Sequence, residues 1–326
     1  MKKLSKNLLL QVSSIFLLAT SCSVFSGELQ SNISKGNNGL CLANYQAQKE
    51  SSAVTLISED FLFLEGPTWS TQTQAFYFSE MNFNSEQSTG PISTIYQLTL
   101  PDHITRFIEN SGSNGLLAKG NVLYSMNHGT RSLTPFNLTD KKRAVLVDNF
   151  QGQHFNSPND LTLHSAGHIY FTDPNWQLGD RTQETPFTGV YWLNTNGKVS
   201  LIDKTLVKPN GIVLSPDQKT LYVGDFGNKI STYPVHHDGS VGERKTFVTI
   251  KSPDGMAVDC AGNLYATSHS EGNIYVYSPQ GKQLDKIKVG PSLTNLAFGG
   301  ADMKTLLITT GKGLFSLKVA IPGVTL

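Results

Sequence analysis

Charge is scarce in this chain: Asp, Glu, Lys and Arg make up 16 % of its 326 residues, against roughly 25 % in ordinary soluble domains. The 26 basic and 25 acidic side chains nearly cancel, leaving a formal net charge of +1 with no basic run. No electrostatic case for nucleic acid survives that balance. Cysteine is rare, with three residues and no CxxC pair. There is no GxSxG elbow, no Walker A loop, no dinucleotide fingerprint and no HExxH, so nucleophilic serine, nucleotide and helical zinc chemistry have no local support. What the chain has is 29 glycines, 14 prolines and many short β-branched and aromatic runs. That composition belongs to short strands and turns, not to disorder.

Six times a short motif with a polar side chain opens an apolar run. The motifs are Glu65-Gly-Pro-Thr-Trp, Asn114-Gly-Leu-Leu, Asn159-Asp-Leu-Thr, Asn210-Gly-Ile-Val, Asp254-Gly-Met-Ala and Asn295-Leu-Ala-Phe. Subtracting residue numbers gives spacings of 49, 45, 51, 44 and 41. A period of roughly 40–50 residues over all-β patterning predicts a propeller with one four-stranded blade per repeat. The fold class expected is therefore all-β, a six-bladed β-propeller. Equivalent residues of the innermost strands then form a ring at one channel mouth, here two carboxylates and four carboxamides. A set of oxygen donors suits a hard divalent cation. Pro-Asn-Gly and Pro-Asp-Gly are also turn signals in their own right, and Asn295 reads as a residue that hydrogen-bonds backbone. Glu65 has no turn-forming advantage, and converging carboxylates without a cation would be costly.

Each repeat offers a second strand, at 75–79, 122–126, 168–172, 220–224, 263–267 and 305–309, and a third, at 94–99, 132–137, 189–193, 230–235, 273–277 and 313–318. Outer strands are expected at 104–108, 144–147, 199–202, 246–250 and 286–289, and the sixth repeat ends without one. The β-patterned run 54–57 supplies it, closing the ring between the two chain ends and removing an exposed edge. Because neighbouring strands are antiparallel, Glu80, Asn127, Asp173, Asp225, Ser268 and Thr310 return to the same mouth as a second polar ring. That ring is expected to orient ligands or touch substrate. The connections 82–91 and 175–186 are expected to shape the rim.

The first residues are of another kind. A basic start, Met1 to Lys6, precedes an apolar stretch, 8–19, too short to span a bilayer after folding. It ends in Leu18-Ala19-Thr20-Ser21-Cys22, a lipobox-like sequence with Cys22 as the lipidation candidate. The segments expected are a signal peptide at 1–22, a tether and arm at 23–50, and the propeller at 51–326. The protein is expected to be exported to a bacterial cell envelope, touching a membrane only through the lipid. Export leaves Cys41 and Cys260 as a disulfide or as two separate thiols.

The chain resembles the gluconolactonase, regucalcin and luciferin-regenerating enzyme family, nearest its bacterial gluconolactonases. The resemblance is carried by Glu65-Gly-Pro-Thr-Trp69, His128-Gly-Thr-Arg131, Ser157-Pro-Asn-Asp160 with Tyr170-Phe-Thr-Asp-Pro174, Pro209-Asn-Gly-Ile-Val-Leu-Ser-Pro-Asp217, Pro253-Asp-Gly-Met256 and Thr294 to Gly300. It implies a divalent metal held by Glu65, Asn210 and Asp254, with Asn159 at the metal or the substrate. Calcium is the first candidate, ahead of zinc, manganese or magnesium. The activity implied is hydrolysis of a sugar lactone, a metal-activated water attacking the carbonyl and Asp254 accepting its proton. Asn114, Asn159, His128 and Arg131 would hydrogen-bond sugar hydroxyls from a polar rim. Glu80 and Asn175-Trp176 depart from the family pattern beside the pocket. The alternatives are a hydrolase of another lactone or ester, and a propeller that binds calcium or a glycan without turnover.

Overall fold

Strand follows strand from Thr55 to Lys318, with no helix among the described residues. The computed structural model describes Cys41 and residues 53–85 and 88–325; the lipobox with Cys22 and, apart from Cys41, the tether lie outside them. The strands form six small antiparallel sheets and one two-stranded hairpin, Asn149–Phe150 with Gln153–His154. The sheets are the six blades of a propeller. Their innermost strands are Leu64–Ser70, Ser113–Lys119, Leu161–Leu163, Pro209–Leu214, Pro253–Val258 and Leu293–Gly299. Second and third strands fall within three residues of the expected limits.

The blades hold together because side chains alternate across a strand. In the second strand of blade 3, Ile169 and Phe171 pack toward blade 2, whereas Tyr170 packs toward blade 4. Blade 4 repeats this, with Leu221 and Val223 facing blade 3 and Tyr222 facing blade 5. The result is six hydrophobic cores, each lying between two neighbouring blades. Both faces of each sheet are buried, so the strands read as continuous apolar runs.

The ring closes as the sequence predicts. Thr55–Ser58 pairs antiparallel with Leu314–Lys318, Thr55 opposite Ser316 and Leu56 opposite Phe315, completing the last blade. The innermost strands meet there too, Thr294 Oγ1 donating to Leu64 O at 2.7 Å. Cys41 and Cys260 form a disulfide with Cα atoms 5.2 Å apart, so the pairing left open by the sequence is made. Cys41 N also donates to Cys260 O at 2.9 Å, and Cys260 N to Pro322 O at 2.8 Å.

One expected strand is absent. Residues 144–147 contribute one isolated bridge, Leu133 with Val147, next to another of Phe136 with Arg143, so blade 2 has three strands. Val145 and Leu146 are about half exposed there, at 52 % and 50 %. The run has strand composition, but of it Val147 alone packs against a core, that between blades 2 and 3.

Candidate active site

The six motifs do converge at one mouth, but not as turns. In five blades the innermost strand is bulged at the motif, between Glu65 and Thr68, Ser113 and Leu116, Pro209 and Ile212, Pro253 and Met256, and Leu293 and Leu296. Three steps on the inner strand oppose two on its partner, and the extra residue re-aims the side chain. Glycine follows because the blades crowd at the axis. A Cβ on Gly211 would stand 2.2 Å from Asp254 O, and one on Gly255 would stand 2.0 Å from Asn295 Oδ1. The dipeptides Asn210-Gly211 and Asp254-Gly255 therefore mark contact between blades rather than chain reversal.

Glu65, Asn114, Asn159, Asn210, Asp254 and Asn295 are all buried, none more than 5 % exposed. Glu65 Oε2 accepts from Gly66 N at 3.0 Å and from Asn295 Nδ2 at 3.3 Å. Asn295 also caps its own strand, with Leu296 N donating to its Oδ1 at 2.8 Å. Asn210 reaches Asp254 through its carboxamide. Burial, then the negative charge of Asp254, holds the Glu65 carboxyl well above the usual carboxylate range. Burial likewise raises Asp254, against the opposing influence of His269. Asp254 Oδ1 and both carboxamide atoms of Asn114 are buried with no hydrogen-bond partner.

Two more acidic or basic groups join the ring. Asp160, beside Asn159, is buried and accepts from Leu161 N at 2.9 Å. Burial, reinforced by the charge of Asp254, pushes its pKa up to about 7. His269 Nδ1 lies 3.3 Å from Asp254 Oδ2, an ion pair when the imidazole is protonated, and the pairing with Asp254 raises the pKa of the imidazole. Sequence reading left both out, although the signal for His269 was present. It stands one residue past the end of a second strand, as His128 does in blade 2.

His128 and Arg131 lie on the polar side of the mouth; the Arg131 guanidinium and His128 Nε2 are committed, whereas His128 Nδ1 is buried with no hydrogen-bond partner. His128 is fully buried, its Nε2 on Pro91 O at 2.9 Å, and burial pushes its pKa down to about 4, so the ring is neutral. Arg131 forms an ion pair with Glu184 Oε1 at 3.1 Å and donates to the carbonyls of Phe155 and His154. Above them Arg181 donates to Thr89, His128, Gly129 and Gln177 carbonyls, fastening together the two long connections. The second polar ring also braces the strands. Asn127 donates to Ser111 O, Asp173 accepts from Asn156 N, Asp225 from Lys208 N, and Ser268 donates to Lys251 O. Each ties a second strand to the backbone leading into its innermost neighbour, while Asp173 Oδ1 and Asp225 Oδ2 are buried with no hydrogen-bond partner. The rim, finally, is polar on one side only. Phe63, Phe83, Phe226 and Trp176 line the other.

Among the described residues no group of three or more His, Cys, Asp or Glu side chains is arranged to hold a metal. The donor set at the axis is of another composition, carboxylates with carboxamides. It fits a hard cation on chemistry: the oxygens converge, two acids repel each other across the axis, and Asp254 Oδ1 lacks any partner.

Residues 63–312 match the family described as SMP-30/Gluconolactonase/LRE-like region. The chain is 30 % identical over 274 residues to a gluconolactonase of Zymomonas mobilis, 76 % of each chain being covered. It is 26 % identical over 259 residues to a 6-deoxy-6-sulfogluconolactonase of Pseudomonas putida, covering 76 % of this chain and 83 % of that one. A solved gluconolactonase structure from Xanthomonas campestris superposes with a TM-score of 0.75 at 25 % identity, over 86 % of this chain and 94 % of the other.

Proposed function

Because the chain belongs to the SMP-30/gluconolactonase/LRE-like family, we propose that it hydrolyses a sugar lactone such as glucono-1,5-lactone to the aldonic acid. The observation that carries the reading is the buried pair Glu65 and Asp254, with Asp254 Oδ1 left unpaired among carboxamides. Glu65, Asn210 and Asp254 would hold a divalent cation, with Asn159 beside it, and the all-oxygen set favours calcium. When bound, such a cation supplies positive charge that polarises a carbonyl oxygen. Asp254 Oδ1 takes a proton from the water that attacks the lactone carbon. It returns that proton to the ring oxygen as the carbon–oxygen bond breaks, so the product is an open hydroxy acid. His269, 3.3 Å from Oδ2, holds the carboxylate with Oδ1 turned away from it. Asn114, whose carboxamide is buried with no partner in the protein, would hydrogen-bond substrate hydroxyls. His128 and Arg131 frame the wall behind it.

The deciding experiment compares protein stripped by a chelator with the same protein reloaded with calcium, zinc, manganese or magnesium, against a panel of aldonolactones. Reloading with a preferred ion should restore hydrolysis and raise Tm, since a ligand that binds only the native state stabilises it. A stripped protein with full activity and an unchanged Tm would refute the cation's part. Turnover of no lactone, despite ion binding, would leave a binding propeller.

Export belongs to the same reading and is supported by the Cys41–Cys260 disulfide, a bond of oxidising compartments. We place the lipid on Cys22, at the bacterial cell envelope. Protein from the native host should then partition into detergent, and Cys22→Ser should move it to the aqueous phase. Equal partitioning of both would remove the anchor.

A further inference from the structure

Half of the mouth carries a feature that lactone hydrolysis alone does not use. Phe63, two residues before Glu65, meets Phe83 edge to face with ring centroids 5.3 Å apart. On its other side Phe63 lies 6.3 Å from the His269 imidazole, and that imidazole lies 6.3 Å from Phe226. Phe226 in turn meets Trp176 edge to face at 5.0 Å, and Lys208 Nζ stands 4.0 Å from the Trp176 ring centroid. The rings come from blades 1, 5, 4 and 3, with blade 6 passed over between Phe63 and His269, so the arc runs around the mouth. The contact between His269 and Asp254, 3.3 Å, sets the reacting carboxylate against the middle of the arc.

The arc is not core. Phe83 is 54 % exposed and Trp176 37 %, while Phe63, Phe226 and His269 are half-buried. Nor is it loose. The segment bearing Trp176 is pinned by Gln177 N donating to Ser157 Oγ at 3.2 Å and by Asn175 Nδ2 donating to Gln183 Oε1 at 3.0 Å. Exposed aromatics held in place beside a reacting group mark a binding surface.

We propose that the arc is a second sugar subsite, and that the substrate class is an aldonolactone carrying a further glycosyl unit. The proposal rests on the lactonase reading. A pyranose ring has an apolar face of C–H groups and a rim of hydroxyls. A one-sided aromatic surface covers that face and leaves the hydroxyls in water. An alkyl chain gains in proportion to the area it buries, and this open surface would leave most of one in water. The polar group standing at the end of the arc, the Lys208 ammonium, is a hydrogen-bond donor for hydroxyls and has no use for an alkyl chain. With the lactone ring at Asp254, the attached glycosyl unit lies over Phe226 and Trp176.

The test measures kcat/KM for glucono-1,5-lactone, for cellobiono-1,5-lactone and for a lactone bearing an alkyl chain, in the parent protein and in Trp176→Ala and Phe226→Ala. The disaccharide lactone should be preferred over the monosaccharide lactone, and each substitution should lower that ratio about tenfold, mainly through KM. Binding of cellobionic acid by calorimetry is measured in parallel and should be lost in Trp176→Ala. If no lactone is turned over, the lactonase reading fails, whereas loss of cellobionic acid binding in Trp176→Ala still supports the subsite. If the disaccharide ratio and cellobionic acid binding are the same in all three proteins, the subsite is wrong. A selective fall for the alkyl lactone would also overturn it.

Discussion

Asp254→Asn is expected to lower kcat for lactone hydrolysis by about 10²–10⁴-fold, the range that removal of a positioned acid–base group produces. The substitution keeps the outline of the side chain and one oxygen but removes the charge and the basicity. Its effect on the fold should run the other way. In the absence of a cation Asp254 raises the proton affinity of Glu65 by its negative charge, so a neutral carboxamide in its place removes a repulsion between two buried groups. The metal-free variant should melt no lower than the metal-free parent, while its stabilisation by added cation shrinks. Asn210→Ala, which removes a donor without touching the proton acceptor, should recover part of its activity when the cation is in excess. Parent-like turnover by Asp254→Asn would end the case for Asp254 as the base. A lower metal-free melt would show that the repulsion is not what separates the two acids.

Removing residues 53–58 should have the largest effect on stability. The strand Thr55–Ser58 is the outer edge of the last blade, and without it Leu314–Lys318 presents an unpaired row of backbone groups beside the exposed run before the first blade. The truncated protein should lose its single cooperative melting transition and aggregate in proportion to concentration. Reduction of the Cys41–Cys260 disulfide in the intact chain should do less. A bridge closing a long loop contributes about 2–4 kcal/mol, so reduction should lower Tm while leaving the transition cooperative. A truncated chain that melts as sharply as the parent would mean that blade 6 stands on three strands, as blade 2 does.

Blade 2 explains what the sequence could and could not disclose. The propeller was legible because alternation sends adjacent side chains of one strand into two different cores, and that requirement writes an apolar run at every repeat. Residues 144–147 satisfy the composition of a strand and yet form none, with Val145 and Leu146 about half exposed and Val147 alone packed on a core. The ring was legible because bulges recur at fixed positions, and Glu65, Asn210 and Asp254 fall on them. The local meaning of Asn-Gly and Asp-Gly was not: the glycines answer to the backbone of the next blade, a contact some 40 residues or more away in the chain. Arg131 and His128 have the right chemistry for a sugar pocket, but Glu184 and Pro91, which occupy them, come from distant connections. His269, one residue past a second strand, and Asp160, inside a motif, were visible as residues and silent as partners, because what each does depends on its interaction with Asp254 across the mouth.

The attachment at Cys260 has a mechanical side. Cys41 precedes the closing strand in the chain, so a pull applied anywhere before residue 41 reaches the disulfide before it reaches Thr55–Ser58. The load then passes to the turn of blade 5 at Cys260, which is itself bonded to Pro322 O, next to the Asp259 and Gly323 bridge. The closing strand, whose pairing would otherwise unzip one bond at a time, hangs slack behind a covalent strut. Under reducing conditions the same pull would peel that strand first, and the ring would open at its seam.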